Sequence, residues 1–217
     1  QSSWNQLLSW LSTQQTEYGK AFIQEKALFK RDSSSLKGIT DLGEISFANK
    51  NYTVSQNCFN YILENTKDPN LILNANSYLL EVATKLASTK KEVEAVEEKF
   101  QELFSVYGRT NSTLELQMAY ADFLTFTKDE PEKAISILKE ALTQTTSDYQ
   151  HGDFKLKLGD VLVYTNRFNE ALINYSQVQK DLKNSTLAQT ARFKVAQTSY
   201  FKGDFKWALS QLKVLKK

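Results

Sequence analysis

"LGDVLVYTNRFNEALINYSQVQ", residues 158–179, holds no catalytic triad, phosphate loop or metal-ligand cluster. It does hold a Leu158-Gly159 pair, then Phe168, Ala171, Tyr175 and Val178 at helical intervals. Self-similarity decides what that spacing means. Thirty-seven residues after Ala171 stands Ala208, in FKGDFKWALSQLKVL, and thirty-seven before it stands Ala134, in DEPEKAISILKEAL. Each alanine is followed four positions on by Tyr175, Leu212 or Leu138, and seven on by Val178, Leu215 or Ala141. Thirteen positions before each comes Leu158, Val195 or Ala121. Upstream the pattern continues more weakly at Ala21, Ser55 and Val96, so the six anchors are spaced 34, 41, 38, 37 and 37 residues apart.

Each unit reads as two amphipathic helices, with apolar residues at i, i+3, i+4 and i+7, joined by short turns such as TNR, KGD and ANKN. Before Ala134, Asp129 or Glu130 is expected to cap a helix whose first position is Pro131. Gly43, Gly159 and Ala196 in first helices, with the alanines of second helices, predict close helix–helix approach. Glycine inside a helix costs about 1 kcal/mol relative to alanine, so its presence needs such a reason. One hairpin cannot bury its own apolar face, and neighbouring pairs must stack. Composition agrees: 217 residues, 41% hydrophobic and 24% charged, with seven Gly and two Pro, exclude a turn-rich all-β chain. The units run approximately 1–35, 36–70, 71–112, 113–150, 151–187 and 188–217 as one repeat array.

Leu158-Gly159, Phe168, Ala171 and Tyr175, and again Ala196, Gly203, Phe205 and Ala208, resemble the tetratricopeptide repeat (TPR) signature. The resemblance covers nearly the whole chain. It implies an all-α, right-handed superhelical solenoid of about six antiparallel helix pairs, acting as a scaffold for protein–protein interaction. Departures are Thr84 and Asp122 in place of the small first-helix residue, and Ser55 and Val96 in place of alanine. The wording AFIQEKALFKR and SYFKGDFKWALSQLKVLK also looks like large TPR proteins of Bacteroidetes-type bacteria, which implies a periplasmic or cell-envelope setting and a longer parent chain. The chain opens at Gln1, as a processed chain or an excised fragment would.

Chemistry is poorly provided for. A dyad of the single cysteine, Cys58, and the single histidine, His151, would have to bridge almost three repeats. One Cys and one His do not make a closed zinc site, and neither G-x-G-x-x-G nor a P-loop occurs. Glu92, Glu94, Glu97, Glu98 and Glu102 share their helix with Lys90, Lys91 and Lys99, and read as a solvated, self-paired face. No enzyme, cofactor or metal is expected. No apolar run approaches the roughly 18 residues of a membrane span.

Charge is uneven. Residues 180–217 hold nine Lys or Arg against Asp181 and Asp204, together with Phe193, Tyr200, Phe201, Phe205 and Trp207. That mixture suits nucleic-acid or anionic-surface binding, if the aromatics are free to stack and are not inter-helix core. The alternative follows from the resemblance, whose geometry points Phe47, Tyr78, Phe123, Phe126, Asp160, Tyr164, Phe193, Gln197 and Tyr200 into a concave surface lined by first helices. Such an aromatic-rich face suits another protein or a peptide. Leu156 and Asp160 at inward positions disfavour the Lys/Arg clamp that some TPR domains use on a C-terminal carboxylate. Leu209, Leu212 and Leu215 on the last helix predict an exposed apolar end available for self-association or for further repeats. Trp4, Trp10 and Leu11 read as the buried face of the first helix. Asn-x-Ser/Thr triplets at Asn51, Asn111, Asn174 and Asn184 carry meaning only along a eukaryotic secretory route.

Overall fold

The computed structural model describes residues 2–215, and side chains from Gln6 onward. Among these residues there are helices and no strand. The helices are α1 Ser2–Gln14, α2 Tyr18–Arg31, α3 Lys37–Ala48, α4 Tyr52–Asn65, α5 Pro69–Leu86 and α6 Lys90–Tyr107. They continue, after a 3-10 turn at Asn111–Thr113, as α7 Leu114–Phe126, α8 Pro131–Leu142, α9 Asp148–Tyr164, α10 Phe168–Asp181, α11 Thr186–Phe201 and α12 Phe205–Leu215. All six repeat anchors lie in second helices, and Ala21, Ser55, Val96, Ala134, Ala171 and Ala208 are all buried.

The turns explain why the hairpins recur. Thr16, Lys50, Asp129, Asn166 and Gly203 all adopt positive φ just after a first helix. In each case the following N–H returns to a carbonyl near the helix end: Glu17 to Ser12, Asn51 to Ser46, Glu130 to Leu124, Arg167 to Leu162 and Asp204 to Ser199, all at 2.8 Å. This is the left-handed helix stop, which satisfies carbonyls that the helix leaves unpaired. Gly203 adopts the conformation freely, and Asn or Asp tolerates it better than Lys or Thr. The third pair differs, since α5 is followed by Ala87 in extended backbone (φ −60°, ψ 122°), and its repeat is the longest.

Starts are specified as well. Asn51 accepts the N–H of Val54, Asp68 that of Asn70, Ser147 that of Gln150 and Ser185 that of Ala188. Pro69 and Pro131 occupy the opening turns of α5 and α8. The expected cap at Asp129 or Glu130 is not made. Asp129 is taken by the left-handed turn, and the Glu130 carboxylate goes to Lys133 at 2.7 Å. The Glu92 carboxylate also departs from expectation. It accepts the N–H groups of Ser88 and Thr89 at 2.8 and 2.9 Å, and these bonds hold its acid down at about 2.

The contacts form two compact units, Gln1–Phe100 and Gln101–Lys217. In the first, Tyr18, Ala21, Ile39, Leu42, Phe59 and Ile62 make the core. In the second, Leu124, Leu138, Leu162 and Tyr175 are among the largest fully buried side chains. Close approach is real in both units. A Cβ added at Gly43 would sit 2.9 Å from the Phe59 ring, and one at Gly159 would sit 2.3 Å from Tyr175. The first helix corrects the sequence reading. Trp10 is 59% exposed and Leu11 is exposed too, because the buried residue of that stretch is Ser9. The Trp4 side chain lies outside the described residues.

Candidate functional site

Residues 101–217 carry a face built by the first helices α7, α9 and α11, and it is held together by polar bonds that step from one repeat to the next. Lys157 donates to Asp122 at 2.5 Å, and Lys194 donates to both oxygens of Asp160 at 2.6 and 2.8 Å. The Asp160 carboxylate also accepts the Tyr175 hydroxyl at 2.7 Å, tying α9 to its own second helix. Burial first, and then that carboxylate, push the Tyr175 phenol far up, so it stays a donor. The lysine partner explains Asp122, which stands where the repeat pattern wants a small residue. Along the turns, Arg167 reaches Glu132 at 3.4 Å and Lys202 reaches Asn169 at 2.6 Å.

Each of these three first helices ends in an exposed aromatic: Phe126 at 55%, Tyr164 at 45% and Phe201 at 53%. Phe126 and Tyr164 meet edge to face, with centroids 5.4 Å apart. The Tyr164 hydroxyl donates to Asp129 in the preceding repeat at 2.8 Å, which fixes the ring and raises the phenol pKa. Tyr200 lies 6.2 Å from Phe201 and 5.4 Å from Phe205. These rings are large and apolar, and their neighbours hold them in place. They can anchor a partner at low entropic cost.

The structure sorts the nine residues expected on this face. Phe126, Tyr164, Phe193, Gln197 and Tyr200 are exposed. Phe123 is not a surface residue: it is fully buried, because the inward side of α7 is core at that position. Asp160 reaches the face, but its carboxylate is engaged by Lys194 and Tyr175. Phe47 and Tyr78 belong to residues 1–100, where they pack on each other at 5.6 Å and Tyr78 stacks on Phe59 at 4.6 Å. Phe201 and Phe205 were not among the expected face residues, although Phe201 ends α11 just as Tyr164 ends α9.

The aromatics of the basic end, Phe193, Tyr200, Phe201, Phe205 and Trp207, are exposed and are not inter-helix core. A cavity of about 720 Å³ between the end of α10, the N-terminal half of α11 and the end of α12 is lined by Lys180, Lys183 and Arg192. Leu209 and Leu212 are exposed on α12, as is Val214, whereas Leu215 is half-buried and lines this cavity.

Among solved structures, the chain is similar to a thermophilic TPR protein of Thermus thermophilus, at 15% identity and a TM-score of 0.64, over 91% of this chain and 98% of that one. The fold is that of the tetratricopeptide repeat. A TPR protein of Parabacteroides merdae matches at 14% identity and a TM-score of 0.59, over 96% of this chain and 71% of that one. Rap protein complexed with competence and sporulation factor matches at 15% identity and a TM-score of 0.64, over 90% of this chain and 60% of that one. The sequence matches no family model and no curated protein. At these identities the likeness is one of TPR architecture.

Among the described residues no group of three His, Cys, Asp or Glu is placed to hold a metal, and no helix is long and apolar enough to cross a membrane. His151 shares a hydrogen bond with Thr145 through Nδ1 at 2.9 Å. Cys58 is fully buried, and burial, with a smaller push from the Glu25 carboxylate, raises its thiol to about 12. A disulfide reagent at pH 8 is therefore expected to label Cys58 on the order of 10³-fold more slowly in the folded chain than in denaturant. The preference for the neutral thiol stabilises the fold fully below the unfolded thiol's pKa. It is lost as pH rises from there through about 12.

Proposed function

We propose that this chain is a non-enzymatic TPR scaffold that holds a partner protein or peptide on the first-helix face of residues 101–217. The observation that carries this reading is the exposed aromatic ending each of α7, α9 and α11. Rings at successive repeats offer a series of anchors, and interface energy concentrates in aromatic residues of this kind. A TPR fold in complex with a binding factor, as in the Rap structure, is consistent with that use. The acids and lysines between the rings pair mostly with each other and fix the spacing of the repeats.

A second reading has one observation in its favour, the basic cavity lined by Lys180, Lys183 and Arg192, which suits an anionic surface or nucleic acid. Lys194 contributes little to it, because Asp160 pairs its ammonium group.

One experiment separates the two. The chain is immobilised and its partner captured from the native cells, and retention is then measured for wild type and for Tyr164→Ala with Phe201→Ala. The aromatic reading expects the double variant to retain its helical circular dichroism and lose at least about tenfold in affinity, with a shallow dependence on salt. Unchanged affinity, or a loss of about 10³-fold between low and moderate salt, would favour the anionic reading instead.

A further inference from the structure

The position four residues after the anchor is a core position in most second helices, although in the last repeat it is the exposed Leu212. In four repeats it holds Phe59, Phe100, Leu138 and Tyr175, each essentially without solvent exposure. In the first repeat the same position is Glu25. Its neighbour changes in step. Where Gly43 faces Phe59 and Gly159 faces Tyr175, Ser9 faces Glu25 and donates its hydroxyl to Glu25 Oε1. Gly38 on α3 admits the carboxylate, since a Cβ there would lie 2.0 Å from Glu25 Oε2. Glu25 is half-buried, so its carboxylate keeps part of its hydration, and an apolar side chain of similar size would bury more surface against α1 and α3. The hydroxyl of Ser9 fills only one of roughly four acceptor sites on a carboxylate.

A cavity of about 500 Å³ lies between α1, α2 and α3, and Trp10 and Glu25 both line it. That volume suits a side chain or small ligand. Among the other charges around it, Lys37 and Asp41 pair, while Asp32 is bonded locally and adds to the negative charge. Lys37 donates to Asp41 at 2.6 Å, and Asp32 accepts the N–H of Ser34 at 3.0 Å. Glu25 is left as a carboxylate with spare acceptor capacity, facing a cavity that also has an exposed indole. Tryptophan is the strongest aromatic face for a cation.

We infer that this cavity is a pocket for the cationic side chain, Lys or Arg, of a partner protein, with Glu25 pairing the charge and Trp10 covering it. The inference rests on the reading of the chain as a protein-binding scaffold, and it adds a recognition element in residues 1–100. Charge complementarity selects the occupant, because an acidic or purely apolar side chain would leave Glu25 unanswered.

The test uses the full chain, ¹⁵N-labelled, with acetyl-Gly-Arg-Gly-amide as probe and its citrulline counterpart as the neutral control. The arginine peptide is expected to shift the Trp10 indole N–H saturably at low salt, and the citrulline peptide is not. Glu25→Gln, which keeps size and an acceptor for Ser9, is expected to weaken binding about tenfold, the value of one charge-assisted bond. Trp10→Leu changes an exposed side chain, so it leaves the fold intact; binding followed at the backbone amides of residues 9–14 is expected to be lost. Equal shifts with both peptides, no saturation, or full binding by either variant would overturn the proposal. Tyr164→Ala is expected to leave probe binding unchanged, so failure of the aromatic face and failure of this pocket give different results.

Discussion

Gly159→Ala is expected to destabilise the chain by about 2 kcal/mol or more, although alanine is the better helix former by about 1 kcal/mol. The reason is geometric. The new Cβ would lie 2.3 Å from Cε1 and 2.6 Å from Cζ of Tyr175, well inside any tolerated contact. Tyr175 cannot yield easily, because it is buried and its hydroxyl is held by Asp160 at 2.7 Å. Either the ring leaves its rotamer and breaks that bond, or α9 and α10 separate. The same substitution at Gly19 meets nothing within 4 Å and lies in α2, so Gly19→Ala is expected to stabilise by about 0.5 kcal/mol. Urea unfolding of the two variants checks the opposite signs. If both stabilise, the close approach of α9 and α10 is not real.

Asp160→Ala carries the second large effect, a loss of about 2–3 kcal/mol. The substitution strands two donors at once, the buried Tyr175 hydroxyl and the Lys194 ammonium. Lys194 and Asp160 are each about a quarter exposed (25% and 29%), so the full penalty of a buried unpaired charge does not apply. Asp160→Asn keeps an acceptor for the phenol and lacks the charge for Lys194, and is expected to cost about half as much. A double-mutant cycle with Lys194→Ala in equilibrium unfolding apportions the ion pair. Equal losses from Asn and Ala would show that the phenol bond contributes nothing.

Much of the fold was legible because packing imposes its own period. Alanine at 134, 171 and 208 is buried for the same reason each time, and a residue with one cause recurs at one spacing. The turns were legible as turn chemistry, though not as a shared left-handed stop, because Thr16 and Lys50 are not residues that announce positive φ. Surface direction was harder to read. Phe123 and Phe126 lie three apart on α7, and a rotation of one residue decides which is core and which is anchor. Asp160 looked like a ligand residue because its partners, Tyr175 and Lys194, lie 15 and 34 positions away. Phe201 was read only as part of the basic, aromatic end, because its place on the first-helix face comes from ending a helix, which only the helix boundaries reveal. Trp10 was misread because an aromatic on an amphipathic helix is usually core, and nothing local marks Ser9 as the buried residue.

Hydrogen exchange on the complex of this chain with its captured partner tests the central claim most directly. Binding at the aromatic ends of the first helices predicts added protection at residues 122–126, 160–164 and 197–201, with α8 and α10 unchanged. Protection confined to the second helices, or to residues 180–192 alone, would contradict it.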